Sequence, residues 1–138
     1  MKKVFIISPV RNIDKKTEAK IREYIGQLRE DKGYMIYWPL EDTDQNDKVG
    51  LRICHDNRQA IWQAEEIHLW FDTKSDGSRF DLGMFFAFLM FAKKKLVIIN
   101  RDEVFSTPDK SFNNIILALE ALEKVSQWHL VFKNCRIF

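Results

Sequence analysis

The residues best suited to chemistry lie between Asp72 and Met84, where the polar turn Asp72-Thr-Lys-Ser75-Asp76-Gly77-Ser78 leads into an apolar segment that carries one carboxylate, Asp81, near its start. An apolar run (Ile67, Leu69, Trp70, Phe71) precedes the turn. This is the pattern of a strand, a loop and a helix N-terminus, whose free N–H groups and dipole suit a phosphate or another anion. Ser75 and Ser78 add hydroxyls, and Gly77 lets backbone approach a ligand closely; a plain surface turn uses the same residues. Asp81 has two readings. It is either a nucleophile or general acid/base facing the loop, or half of a capping box in which Ser78 caps the helix and Asp81 accepts a bond from the Ser78 N–H.

A second polar junction, Ser8-Pro9-Val10-Arg11-Asn12, follows the apolar run Val4 to Ile7. Arg11 can hold a phosphate or carboxylate through two parallel N–H bonds, which a lysine cannot, or it is a surface arginine. Arg52, Asp56, Asn57 and Arg58 form a dense polar cluster ahead of Ala60 and Ile61; one face of it can reach the same ligand, although such clusters are also common on solvated helix faces. His55, His68 and His129 share no ligand spacing, so no metal is expected, and His68 reads as a packed or hydrogen-bonded strand residue. There is no GxGxxG and no Walker A, so neither a dinucleotide site nor a P-loop is supported, and no cofactor is expected.

Alternating β-rich and helical patterns position these residues. Strands are expected at Val4 to Ile7, Tyr34 to Trp38, Glu66 to Phe71, Leu96 to Ile99 and Trp128 to Phe132. Helices are expected at Asp14 to Asp31, over Leu51 to Ala64, at Arg79 to Ala92 and at Ser111 to Val125, with a polar loop after Pro39. Continuous apolar first and fourth strands imply a parallel sheet buried on both faces. Right-handed crossovers then give a flavodoxin-like or Rossmann-like α/β fold, a five-stranded sheet of order 2-1-3-4-5 with helices on both faces. Its switch point lies between strands one and three, where the Ser8 to Asn12 and Asp72 to Asp81 junctions meet.

Composition narrows the setting. The 138 residues suit one domain, and 22 basic against 20 acidic residues, with no long block of like charge, argue against a nucleic-acid polymer as partner. No segment approaches the roughly eighteen apolar residues of a membrane span, and the N-terminal run is too short for a signal peptide. Cys54 and Cys135 read as reduced thiols of a cytoplasmic protein. The third and fourth helices carry Phe85, Phe86, Met90, Phe91, Ile116 and Leu119, more apolar surface than one buried face uses, so a homodimer or higher homo-oligomer is expected.

From Lys3 to about Asn100 the chain resembles the nucleoside 2-deoxyribosyltransferase family, which includes deoxynucleoside 5′-monophosphate N-glycosidases. The resemblance rests on a first strand ending in Ser8-Pro-Val-Arg11-Asn12, on Asn57-Arg-Gln-Ala60-Ile61-Trp-Gln-Ala64-Glu65, and on Gly77-Ser78-Arg-Phe80-Asp81-Leu82-Gly83-Met84 followed by Lys94-Lys-Leu-Val-Ile-Ile. It implies that Asp81 stands where the family has a glutamate that attacks the sugar C1′, one methylene longer than the aspartate here. It further implies that Arg11 and Ser75 hold a 5′-phosphate, that Asn57 stands where the family has an aspartate contacting base or sugar, with Asp56 adjacent, and that Asn113 reaches a neighbouring subunit's site. The expected activity is cleavage or transfer at the N-glycosidic bond of a nucleoside or its 5′-monophosphate. The alternative is a non-catalytic nucleotide-binding or sensing module on the same fold.

Overall fold

A computed structural model describes residues 1–124. The central strand β1 (Lys3–Ile7) pairs in parallel with β2 (Met35–Tyr37) on one side and β3 (Glu66–Leu69) on the other, and β4 (Lys95–Ile98) extends the sheet beyond β3. The order is β2-β1-β3-β4, so the direction of strand addition reverses between β1 and β3, as expected. The expected fifth strand, Trp128 to Phe132, lies outside the described residues, as does Cys135, and the described sheet has four strands.

Period-two alternation divides β1 between two cores. Phe5 and Ile7 join Ile67, Leu69, Leu96 and Ile98 on the face covered by α3 (Leu51–Gln63), α4 (Asp76–Phe88) and α5 (Phe112–Ala121). Val4 and Ile6 join Ile36, Trp38 and Trp70 on the opposite face, under Ile21, Ile25 and Leu28 of α1 (Lys15–Lys32). Helix α1 starts where Asp14 accepts the Thr17 N–H at 2.9 Å and stops at Gly33, whose φ of 61° is the left-handed turn that a glycine makes without strain. Among the described residues no helix is long and apolar enough to cross a membrane.

The element boundaries differ from the sequence reading in three places. A short helix, α2 (Pro39–Asp42), replaces the start of the expected loop, with Pro39 in the first helical position where its missing N–H costs nothing. Helix α4 spans Asp76–Phe88 instead of Arg79 to Ala92, because Ser75 and not Ser78 is its cap. Helix α5 gives way to a 3₁₀ turn, Leu122–Lys124. The apolar residues of α4, α5 and the turn after α4 divide between the core and the surface, and Phe86 is half-exposed. Phe85, Ile116 and Leu119 belong to the chain's own core, while Met90 and Phe91 stand exposed.

The α1 face holds a buried polar network. Tyr24 Oη lies 2.8 Å from His68 Nδ1, His68 Nε2 lies 2.9 Å from Glu66 Oε2, and Lys2 Nζ reaches Glu66 Oε1 at 2.6 Å. His68 is thus the hydrogen-bonded strand residue that its position suggested. Burial holds its imidazole below the ordinary 6.5, against the opposing pull of Glu66. A histidine that binds protons less readily folded than unfolded contributes stability that is complete above about pH 6.5 and is lost as pH falls below it. Urea unfolding of the wild type and His68→Gln should therefore show a difference in stability that shrinks between pH 7 and pH 5. Curves that stay parallel over that range would remove His68 as the cause.

Candidate functional site

Helices α3 and α4 each turn one polar side chain toward the other. Asp81 lies on the inward face of α4 with Ser78, Leu82 and Phe85, the i−3, i+1 and i+4 neighbours that a 3.6-residue period places beside it. Asn57 lies on the inward face of α3, one turn before Ile61. Asp81 is 7% exposed and Asn57 6%, and Asn57 Nδ2 donates to both carboxylate oxygens of Asp81, at 3.4 and 3.2 Å. Asn57 Oδ1 accepts from Thr43 Oγ1 at 3.0 Å, and Thr43 Oγ1 is 2.7 Å from the Tyr37 hydroxyl. The Tyr37 ring stacks on Phe5 of β1 with centroids 5.5 Å apart.

This geometry overturns the capping-box reading of Asp81. The cap is Ser75, whose Oγ accepts from the Ser78 N–H at 3.2 Å and lies 2.8 Å from Ser78 Oγ. Asp81 is then the sixth helical residue, beyond the first turn, and its carboxylate bonds across to another helix. A carboxylate taken out of water holds its proton more tightly: burial pushes Asp81 up to about 7, and the Asn57 donor only partly opposes it. A buried acid poised near neutrality is the type of group found at catalytic sites.

The other sequence-derived residues divide into groups. Ser8 is buried, but its hydroxyl is occupied, accepting from Trp38 Nε1 at 2.8 Å and donating to Pro9 O at 3.1 Å. It anchors the loop after β1. Arg11 is exposed on that loop beside Asn12, whose φ is 60°, and no ion pair holds Arg11 among the described residues. Ser75, Gly77 and Ser78 form the first turn of α4 with its cap; a Cβ on Gly77 would meet nothing within 4 Å, so packing does not require a glycine there. Asp76, the first helical residue, already offers a negative charge to this N-terminus, and it pairs with Arg79 at 2.8 Å.

Two residues face elsewhere. The Asp56 carboxylate lies 3.4 Å from Arg52 Nη1 and 3.2 Å from His55 Nδ1, and it lines a cavity of about 440 Å³ between β2 and α3. Asp72 accepts the Lys74 N–H at 2.7 Å and shares a cavity of about 470 Å³ with Asn113 and the start of α1; Asn113 Nδ2 also donates to Phe105 O at 3.2 Å. Asp81 lines neither cavity.

Sequence reasoning missed Tyr37, Thr43 and Asn100. Asn100 Oδ1 accepts the Phe71 N–H at 2.8 Å and its Nδ2 donates to Phe71 O at 2.9 Å, tying the loop after β3 to the end of β4. An amide directly after a strand is a signal that could have marked it. Tyr37 ends β2 at the carboxyl end of the parallel sheet, the end at which open α/β sheets generally bind ligands, and that position is a signal of its own. Nothing in the spacing of Glu41 to Asp47 singles out Thr43.

No family model matches the chain, and no curated protein does. Among solved structures, a 2-desoxiribosyltransferase from Leishmania mexicana matches 71% of this chain and 65% of its own, with a TM-score of 0.51 and 19% sequence identity. The likeness is one of fold. This chain accordingly spans less than two-thirds of that neighbour's length.

The raised Asp81 value has a consequence for stability. A carboxyl group whose proton is held more tightly in the folded state stabilises fully below its unfolded value of 3.8, and that contribution is lost as pH rises through about 7. Asp81→Asn removes the loss. It should stabilise the protein at pH 8 by on the order of 3 kcal/mol and by much less at pH 4, read from urea midpoints. An equal or opposite effect at the two pH values would contradict the buried, proton-retaining state of Asp81.

Proposed function

We propose that this protein cleaves or exchanges the N-glycosidic bond of a nucleoside or nucleoside 5′-monophosphate, with Asp81 as the carboxylate at the sugar. The observation that carries this reading is a buried aspartate, poised near pH 7 and held by a neutral amide, at the helix that follows β3 at the switch point of a parallel sheet. Departure of the base leaves an oxocarbenium-like sugar, which an ionised carboxylate either traps covalently or stabilises while water attacks. The fold shared with a deoxyribosyltransferase supports the same class of substrate. Arg11, Ser75 and the backbone of Gly77 and Ser78 hold the phosphate, Ser8 fixes the Arg11 loop, and Asp72 shapes the turn before the cap.

Incubation with a panel of ribo- and deoxyribonucleosides and their monophosphates, with free base followed by chromatography, tests the proposal. Because Asp81 acts ionised, release should rise with pH through a midpoint near 7 and disappear in Asp81→Ala. Arg11→Ala should weaken monophosphates by tenfold or more and nucleosides little, since a charge-assisted pair is lost only for the former. Turnover that persists in Asp81→Ala would end the catalytic assignment.

A second reading is a nucleotide-binding or sensing module without turnover. The near-complete cover over Asp81 favours it. Monophosphate binding without base release under all conditions would select this reading.

We further infer a homo-oligomer in which Met90 and Phe91, with the half-exposed Trp62 and Phe80, are covered by another copy and Asn113 contributes to its neighbour's site. Sedimentation at micromolar concentration should show at least a dimer, and Phe91→Glu should shift it to monomer. A fully active monomer would defeat this arrangement.

A further inference from the structure

An amide has nearly the same shape either way round, so the direction in which Asn57 faces Asp81 needs a cause. With its NH2 toward Asp81, the amide stabilises an ionised carboxylate; reversed, its carbonyl would oppose that charge and accept only from the protonated acid. Asn57 and Thr43 are 6% and 5% exposed, so water does not supply the missing partner at low cost.

We propose that Thr43 is the positioning residue of the site: its hydroxyl donates to Asn57 Oδ1 at 3.0 Å and thereby turns the amide NH2 onto Asp81. Thr43 has one proton to give. Its other neighbour, the Tyr37 hydroxyl at 2.7 Å, can supply a proton to Thr43, and the alternative acceptor for Tyr37, the Asp42 carbonyl, stands at 3.5 Å, the limit of hydrogen-bond reach. The direction from Tyr37 through Thr43 and Asn57 to Asp81 is therefore the well-bonded one. The Tyr37 ring, stacked on Phe5, fixes the far end to the central strand.

Reversal of the amide would take the Asn57 acceptor away from the Thr43 proton, which must then either go to Tyr37, leaving the Tyr37 proton its long bond to Asp42, or stay unpaired in a buried site. The relay thus opposes protonation of Asp81, acting against burial. Few other groups act on this carboxylate. Cys54, one turn earlier on α3, is the titratable neighbour, its thiol pushed up by burial and then by the charges of Asp81 and Asp47. No charged side chain pairs with Asp81 among the described residues.

The consequence for turnover rests on the role proposed for Asp81, whereas the relay can be tested without it. Carboxyl-carbon NMR on the full chain reads the Asp81 midpoint directly. Thr43→Val should raise that midpoint by roughly one pH unit, a tenfold change in proton affinity, and Thr43→Ser should restore it. In the wild type, the Asn57 side-chain amide resonances should titrate with the same midpoint as Asp81, a readout that needs no variant to fold. If base release occurs, its pH profile should move with the NMR midpoint in Thr43→Val. An unchanged or lowered Asp81 midpoint in a folded Thr43→Val, or Asn57 resonances indifferent to the Asp81 titration, would overturn the relay. Absence of base release with the NMR shifts intact would overturn the activity alone.

Discussion

Strand β1 lies between β2 and β3 and is covered on both faces, so none of its inward positions tolerates an unsatisfied polar group. Val4, Phe5, Ile6 and Ile7 are all essentially inaccessible to water, and burial contributes roughly 2 kcal/mol for each such apolar side chain. Everything around them follows. The helices are pressed onto two opposite faces because β1 offers each face two apolar side chains, and β2 and β3 are held parallel to it by register.

Against that apolar frame, the pairing of Asp81 with Asn57 is an exception that the surrounding structure has to support. A carboxyl group between α3 and α4 weakens the contact of two helices that otherwise pack through Ile61, Leu82 and Phe85. It is accommodated because Asn57, Thr43 and Tyr37 form a connected set of hydrogen bonds with it, and none of their buried side-chain polar atoms is left unpartnered. Burial that raises the Asp81 pKa makes an ionised carboxylate costly there at neutral pH, the kind of local cost that functional sites commonly carry.

The loops at the same end of the sheet are held by side chains. Trp38 donates to Ser8, Asn100 clasps Phe71 through both amide atoms, and Ser75 caps α4. Each bond contributes on the order of 1 kcal/mol. Together they fix the backbone that would meet a ligand before any ligand arrives, and less ordering cost then falls on binding.

The sequence by itself determined the parallel α/β order, because period two and period 3.6 in apolar residues are local properties that survive without tertiary contacts. It also marked the junctions after β1 and β3 and Asp81 as a carboxylate within an otherwise apolar helical segment. What it left open was the partner of Asp81. Ser78 and Ser75 are equally good caps by type, and only the path of the loop from Asp72 chose Ser75 and freed Asp81 from the helix end. Asn57 and Asp56 are adjacent on α3, and the 100° step between them sends one toward Asp81 and the other to Arg52. Thr43, in a loop with no period, meets Asn57 only because α3 folds back beneath it, a contact that depends on three-dimensional placement and leaves no trace in spacing.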